Sequence, residues 1–294
     1  MADDERGERI VPCSLSDETR KVIVRYADHL KASAHSLGDH GLTEQEFKDS
    51  GIFRAAVERI RGQQAATMDE KRAFVESVLA KLVESGKAKD WVFEGGGDRH
   101  DYRVTMPGGW TSIIETKGCL DGNNTNIFER PENADEFVIW SLCQNPGADP
   151  RHNAWSGIHT RLGSEIVARR QQVDGLIIWD MLCGTVGRPC PKMALGKRKF
   201  VELRGRNVPP PCIYLFPRSI PEVRNNKTPP CHQLRDVRLL KAMHDVFGGR
   251  VSEVTTVGIE VRSQDGGVQR KTTLTRSRKA IKASDWSEIR RARA

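Results

Sequence analysis

A chain of 294 residues is long enough to bury a sizeable core as one large or two modest domains. No apolar run approaches the length of a bilayer span and the opening Met-Ala-Asp-Asp-Glu-Arg is no secretory leader, so a cytoplasmic protein without membrane contact is expected. A net charge of +8 favours a polyanionic partner, and seven cysteines at irregular spacings argue against a secreted disulfide framework.

Taken in order, residues 1–13 are polar, and residues 14–37 read as a helix with Val22, Ile23, Tyr26, Leu30 and Ala34 on one side. Gly38 to Gly41 breaks it. Thr43-Glu-Gln-Glu46 has the capping-box pattern and opens a short helix, which Ser50-Gly51 turns into a second over 53–61. Such a pair suits helix-turn-helix geometry or, the simpler reading, plain packing against a core. Thr67-Met-Asp-Glu70 repeats the capping pattern. Phe74, Val75, Val78, Leu79, Leu82 and Val83 then recur at helical spacing up to Gly86. Trp91-Val-Phe is a short strand, and Gly95-Gly-Gly97 a turn.

Residues 100–118 carry the chemistry. Residues 101–106 and 110–117 are rich in strand formers around Pro107-Gly108-Gly109, which is turn chemistry, so a β-hairpin is expected. Alternation puts Glu115 and Lys117 on one face and Ile114 and Thr116 on the other. With 107–109 as the loop, Met106 faces Trp110 and Asp101 lies opposite Glu115. A two-residue loop, Gly108-Gly109, places Asp101 opposite Thr116 instead, and a bulge would also shift the register. Opposed carboxylates repel across a sheet, and a divalent cation is the natural compensation. Hard carboxylate oxygens suit Mg²⁺.

Asp101 followed by Glu115-Thr116-Lys117 on the next strand resembles the PD-(D/E)xK nuclease superfamily, with His100 where a Pro commonly precedes the Asp and with Asp98 as a rival first acid. The resemblance implies that Asp101 and Glu115 bind Mg²⁺, with the Thr116 carbonyl a further ligand, and that Lys117 orients or deprotonates the attacking water. It implies a core of helix, three strands, helix and strand.

Beyond the hairpin, Asn123, Asn124, Asn126 and Arg130 lie on a polar loop, and these side-chain types pair with base edges or phosphates. Residues 137–142 are apolar, as strand or helix, and 144–157 are loop-like. Residues 158–172 read as a helix with Leu162, Ile166 and Val167 inward, ended by Asp174-Gly175. Residues 176–182 form a buried strand, and this helix–strand pair completes the implied core. Lys197, Arg198 and Lys199 with Arg204 and Arg206 make a basic cluster suited to phosphates. Residues 212–216 are another strand. Residues 217–233, rich in Pro and Asn, link to a helix over 234–247 with Leu240, Met243 and Phe247 inward. A hairpin over 251–274 follows, turned at Asp265-Gly-Gly267, and then a Lys/Arg-dense tail to 293. Cys183, Cys190, Cys212, Cys231 and His232 match no zinc-ligand spacing, which leaves buried thiols as the expectation.

The expected architecture is α/β, a restriction-endonuclease-like core with a mixed central sheet flanked by helices over 67–220. A helical region precedes it over 1–66, and a basic helix, hairpin and tail follow over 221–294. Size and flanking regions look most like a type II restriction endonuclease, which implies a homodimer hydrolysing phosphodiester bonds of double-stranded DNA with Mg²⁺. The rivals are a repair or modification-dependent nuclease with the same core and a non-catalytic helix-turn-helix regulator.

Overall fold

The computed structural model describes residues 17–33, 41–52, 68–95, 100–118, 120, 130–142, 150–185, 190, 192 and 200–289. Helix α1 spans Asp17–Ala32 and α2 spans Glu44–Ser50. The capping box at Thr43 forms in full: the Glu46 N–H donates to Thr43 Oγ1 at 3.3 Å, and the Thr43 N–H donates to Glu46 Oε2 at 2.9 Å. The companion helix expected over 53–61 lies outside the described residues, as does Thr67. Helix α3, Met68–Glu84, buries Phe74, Val75, Val78, Leu79 and Leu82, the stripe expected from its spacing. It ends in a Schellman turn: Gly86 takes φ 65°, its N–H reaches the Val83 carbonyl, and the Lys87 N–H reaches that of Leu82.

The fold is mixed α/β, a large mixed central sheet flanked by helices. Strands β1 (Asp90–Phe93), β2 (Tyr102–Thr105) and β3 (Thr111–Lys117) are an antiparallel meander. Strands β4 (Glu136–Ser141) and β5 (Gly175–Ile178) follow in parallel to β3. Strands β6 (Val201–Leu203) and β7 (Arg206–Val208) form a separate small hairpin. Strand β8 (Cys212–Leu215) returns antiparallel to β5. Beyond it lie β9 (Thr255–Gln264), β10 (Gly267–Arg276) and β11 (Lys279–Ala283), with β12 (Ser287–Glu288) also on β10. Every residue of β4, β5 and β8 is buried, because helices cover both sides of the sheet; hence their unbroken apolar runs in the sequence.

Both faces can be followed from the register. Trp140 and Ile177 share one face with Gly175, and there α3 and α6 (Arg238–Phe247) pack. Trp140 stacks on Trp179 at 5.7 Å, while Phe74 and Phe247 meet Trp179 edge-on at 5.8 and 4.6 Å. A Cβ on Gly175 would fall 2.3 Å from Leu240, so glycine there lets α6 sit close to the sheet. Across the sheet, Thr272 and Arg270 share the face of Glu115, and a continuous helical segment covers them. It runs through α4 (Pro150–Ser156), a π-helical turn (Gly157–Leu162) and α5 (Gly163–Ala168).

Two expectations need correction here. The helix expected over 158–172 starts at Pro150 and ends at Ala168, so much of the presumed loop over 144–157 is helical. Proline is well placed in a first helical turn, and the π-turn breaks the 3.6-residue stripe that would have revealed the helix. The Pro- and Asn-rich stretch over 217–233 is not a linker. Pro217 bridges to Cys231, the His232 N–H donates to the Phe216 carbonyl, and β9 pairs directly with β8, so residues 255–288 extend the same sheet. The hairpin turn falls at Asp265-Gly266, both with positive φ (52° and 77°), as a two-residue turn between twisted strands requires. Among the described residues no helix is long and apolar enough to cross a membrane.

Candidate active site

The β2–β3 turn decides the arrangement. Pro107-Gly108-Gly109 forms a three-residue loop, with both glycines at positive φ (83° and 80°), and the Met106 N–H donates to the Trp110 carbonyl at 2.7 Å. Thr105 pairs with Thr111, Arg103 with Ile113 and Tyr102 with Ile114. The loop is the three-residue alternative of the sequence reading, but past Tyr102 the ladder turns irregular: the Asp101 N–H donates to the Ile114 carbonyl at 3.1 Å, and the Asp101 carboxylate lies near enough to Glu115 to raise its carboxyl. On the other side, Phe93 pairs with Tyr102 and the Glu94 N–H reaches the Asp101 carbonyl at 2.9 Å. Glu94, Asp101 and Glu115 therefore lie at the same end of three neighbouring strands.

Each acid is held. Lys117, on the same face of β3, pairs with Glu115, which is 4% exposed. Asp101 Oδ2 accepts the Thr116 N–H and the Thr116 hydroxyl, both at 2.6 Å. Regular pairing ends at Tyr102, so this carboxylate takes the place of the next ladder carbonyl opposite Thr116. Glu94 pairs with His100 and Arg103. Lys117 and Arg103 are thus the charged partners of Glu115 and Glu94, while Asp101 is held by the neutral groups of Thr116. Burial pushes the Glu115 carboxyl above the usual glutamate range; the Lys117 hydrogen bond and charge pull it down without prevailing, Asp101 pushes it further up and His100 opposes that.

Among the described residues no three acidic, imidazole or thiol groups converge closely enough to hold a metal ion as the side chains stand. The donor chemistry nevertheless fits Mg²⁺. Asp101 and Glu115 offer hard oxygens close enough for Asp101 to raise Glu115, and the Thr116 carbonyl lies past the last β2–β3 pair. A buried carboxylate that stays hard to ionise beside one ammonium has a deficit of positive charge, which is what a cation supplies.

The structure brings Asp101, Glu115, Thr116 and Lys117 together. Asp98, Asn123, Asn124, Asn126, Lys197, Arg198 and Lys199 lie outside the described residues. Arg130 is not brought to the carboxylates of the hairpin. Its guanidinium donates to the Ala134 carbonyl at 2.9 Å, the Asp135 carbonyl and Asp174 Oδ2 at 3.1 Å. Those partners sit where β4 and β5 begin, whereas Lys117 sits where β3 finishes. Cys183, Cys190 and Cys212 are buried and Cys231 is half-buried.

Sequence reasoning missed Glu94 and His100. Glu94 directly follows the Trp-Val-Phe strand, and counting the β1–β2 register would have put it beside Asp101. The glycines at 95–97 left the length of that turn open. Regular pairing of β2 begins at Tyr102, so strand alternation does not fix where His100 points.

No protein-family description matches this chain, no curated protein matches it, and no solved structure matches its fold.

Proposed function

We propose that the chain is a Mg²⁺-dependent phosphodiester hydrolase of the PD-(D/E)xK type that cuts double-stranded DNA as a homodimer, in the manner of a type II restriction endonuclease. The observation that carries this reading is the end of the β2–β3 hairpin, where Asp101 lies near enough to Glu115 to raise its carboxyl and Lys117 pairs with Glu115. The element order supports it: α3, the antiparallel β1–β3, then a helical segment and the parallel strand β5. Strand β4 is an addition to the resembled restriction-endonuclease-like core, lying between β3 and that helical segment.

In this reading Asp101, Glu115 and the Thr116 carbonyl would hold the ion, and when bound Mg²⁺ would act as a Lewis acid toward the scissile phosphate. Lys117 fixes the Glu115 carboxylate and, by donating to the attacking water, would orient it; to take the water's proton it must first lose its own. Thr116 keeps Asp101 aimed along the end of β2 through two hydrogen bonds. The hydroxyl and backbone of one residue thus fix one acid while its neighbour fixes the other. Asn123, Asn124 and Asn126 follow the catalytic strand closely in the chain and are proposed to read bases, with Lys197, Arg198 and Lys199 on phosphates.

The test is incubation with unmodified supercoiled plasmid in Mg²⁺, Mn²⁺, Ca²⁺ or a chelator. Discrete fragments are expected with Mg²⁺ or Mn²⁺, binding with little cutting in Ca²⁺, and none in chelator. Full activity in excess chelator would overturn the metal role. DNA binding with no cutting in any metal would reduce the protein to a binder.

A further inference from the structure

The basic C-terminal strands do not simply expose their charge. Arg270, in the middle of β10, is 4% exposed, and its neighbour on the same face, Thr272, is fully buried. Guanidinium groups at that depth are ordinarily matched by a carboxylate, since an unmatched buried charge is costly. Here the partners are all neutral. Arg270 Nε donates to Ser164 Oγ at 2.8 Å, and Nη1 donates to His159 Nδ1 and Thr272 Oγ1, both at 3.2 Å. Nη2 makes no hydrogen bond among the described residues. Glu165, the acid adjacent to Ser164 in the chain, faces Arg169 instead at 3.5 Å. Burial pushes the guanidinium down to about 10, and no carboxylate among the described residues holds it up.

His159 sharpens the picture. A guanidinium can only donate, so Nδ1 must accept, and the neutral ring carries its proton on Nε2. Burial, then Arg270, then Lys282 push this histidine below its usual range, which keeps it neutral. The ring stacks on Trp155 at 5.0 Å, and Lys282 Nζ lies 4.9 Å from the centre of the same indole. His159 belongs to the π-helical turn, a geometry that recurs at functional sites. Gly163, directly after that turn, lets the helix close on β10: a Cβ there would come within 3.3 Å of Thr272 Oγ1.

We propose that Arg270, His159 and Lys282, backed by the hydroxyls of Ser164 and Thr272, form a binding site for a phosphate group. An oxyanion would take a charge-assisted bond from Nη2 and a neutral one from His159 Nε2–H, with Lys282 adding long-range attraction, and would supply the negative charge the buried guanidinium lacks. The phosphate is either a phosphodiester of a nucleic-acid backbone or a terminal or free phosphate monoester. The site involves none of the residues of the Asp101 and Glu115 site, so it stands or falls separately from the nuclease reading.

The experiment uses the full chain in phosphate-free buffer without divalent metal. Inorganic phosphate is titrated while the melting temperature and the His159 ring resonances are followed, in wild type, Arg270→Met and Lys282→Gln. A saturable rise in melting temperature with a matching His159 shift is expected in wild type, lost in Arg270→Met and weakened several-fold in Lys282→Gln. Lys282 is exposed, so that variant remains informative if Arg270→Met does not fold. Competition by short duplexes with and without a 5′-phosphate then identifies the source. Displacement by both marks a phosphodiester, and displacement by the phosphorylated one alone marks a monoester. No saturable effect in wild type, or an equal effect in wild type and Lys282→Gln with the His159 signal unmoved, would overturn the proposal.

Discussion

Where β4 and β5 begin, Asp174 is 4% exposed and its carboxylate is surrounded by donors. Oδ2 accepts the Phe137 N–H at 2.7 Å and Arg130 at 3.1 Å; Oδ1 meets His232 at 3.0 Å and Gln172 at 3.4 Å. Its backbone ties β4 to β8, through the Phe137 carbonyl and the Phe216 N–H. Where β3 finishes, Glu115 is buried to the same degree yet has Lys117 as its cation, and its carboxyl stays raised. Equal burial therefore serves two ends. Asp174 is satisfied on every side and joins three strands. Glu115 has Lys117 as its charged partner and its carboxyl stays raised, as burial also leaves that of Glu136.

Changes at the two ends should separate accordingly. Under the proposed function, Glu115→Ala removes a ligand of the reacting centre, and plasmid cleavage should fall by about 10⁴-fold, or ~5 kcal/mol. Urea midpoints should show little loss of stability. A variant that unfolds in proportion to its lost cleavage would make Glu115 structural, like Asp174.

Asp174→Ala should do the reverse. It strands a buried Phe137 N–H and the Arg130 guanidinium, and urea unfolding should show a loss of about 3–5 kcal/mol. Arg130→Met removes one of four donors to Asp174 and should cost about 1–3 kcal/mol. If Arg130 acted on DNA instead, this variant would keep its urea midpoint and lose affinity for duplex.

The smallest effect concerns pH. Burial holds the Glu136 carboxyl above the glutamate range despite bonds from the Leu239 N–H, Ser112 and the Arg238 N–H. A raised folded-state value means the native protein binds the proton more tightly than the unfolded chain. Stability is therefore lost as pH rises from the ordinary glutamate value to the raised one, and is constant above it. The stability difference between wild type and Glu136→Gln should change across that window and be flat above it. A difference independent of pH through the glutamate range would mean that burial does not hold the Glu136 carboxyl up.

Much of this was legible in the sequence for local reasons. Pro107 and two glycines mark the turn between β2 and β3 but leave its length open, and β-alternation is enough to put Lys117 beside Glu115. The capping box at Thr43 and the stripe of α3 were read from adjacent residues in the same way. What could not be read depends on partners distant in the chain. Arg130 looked free on a polar loop because Asp174 is 44 residues away. The helix from Pro150 was hidden by an extra residue in its π-turn. The place of β9 beside β8 depends on how residues 217–233 fold back, which their proline content disguised as a linker. Glu94 joins the site only through the β1–β2 register.

The central claim is that the end of β3 is chemical and the start of β4 and β5 structural. The most direct measurement places wild type and Glu115→Gln side by side on supercoiled plasmid in Mg²⁺, each with its urea midpoint taken in the same buffer. Gln keeps the size and the contact with Lys117 but cannot ionise. The account predicts that Glu115→Gln is at least as stable as wild type, because the buried charge is gone, and that it fails to cut DNA that wild type cuts. Cleavage by Glu115→Gln at the wild-type rate would contradict it.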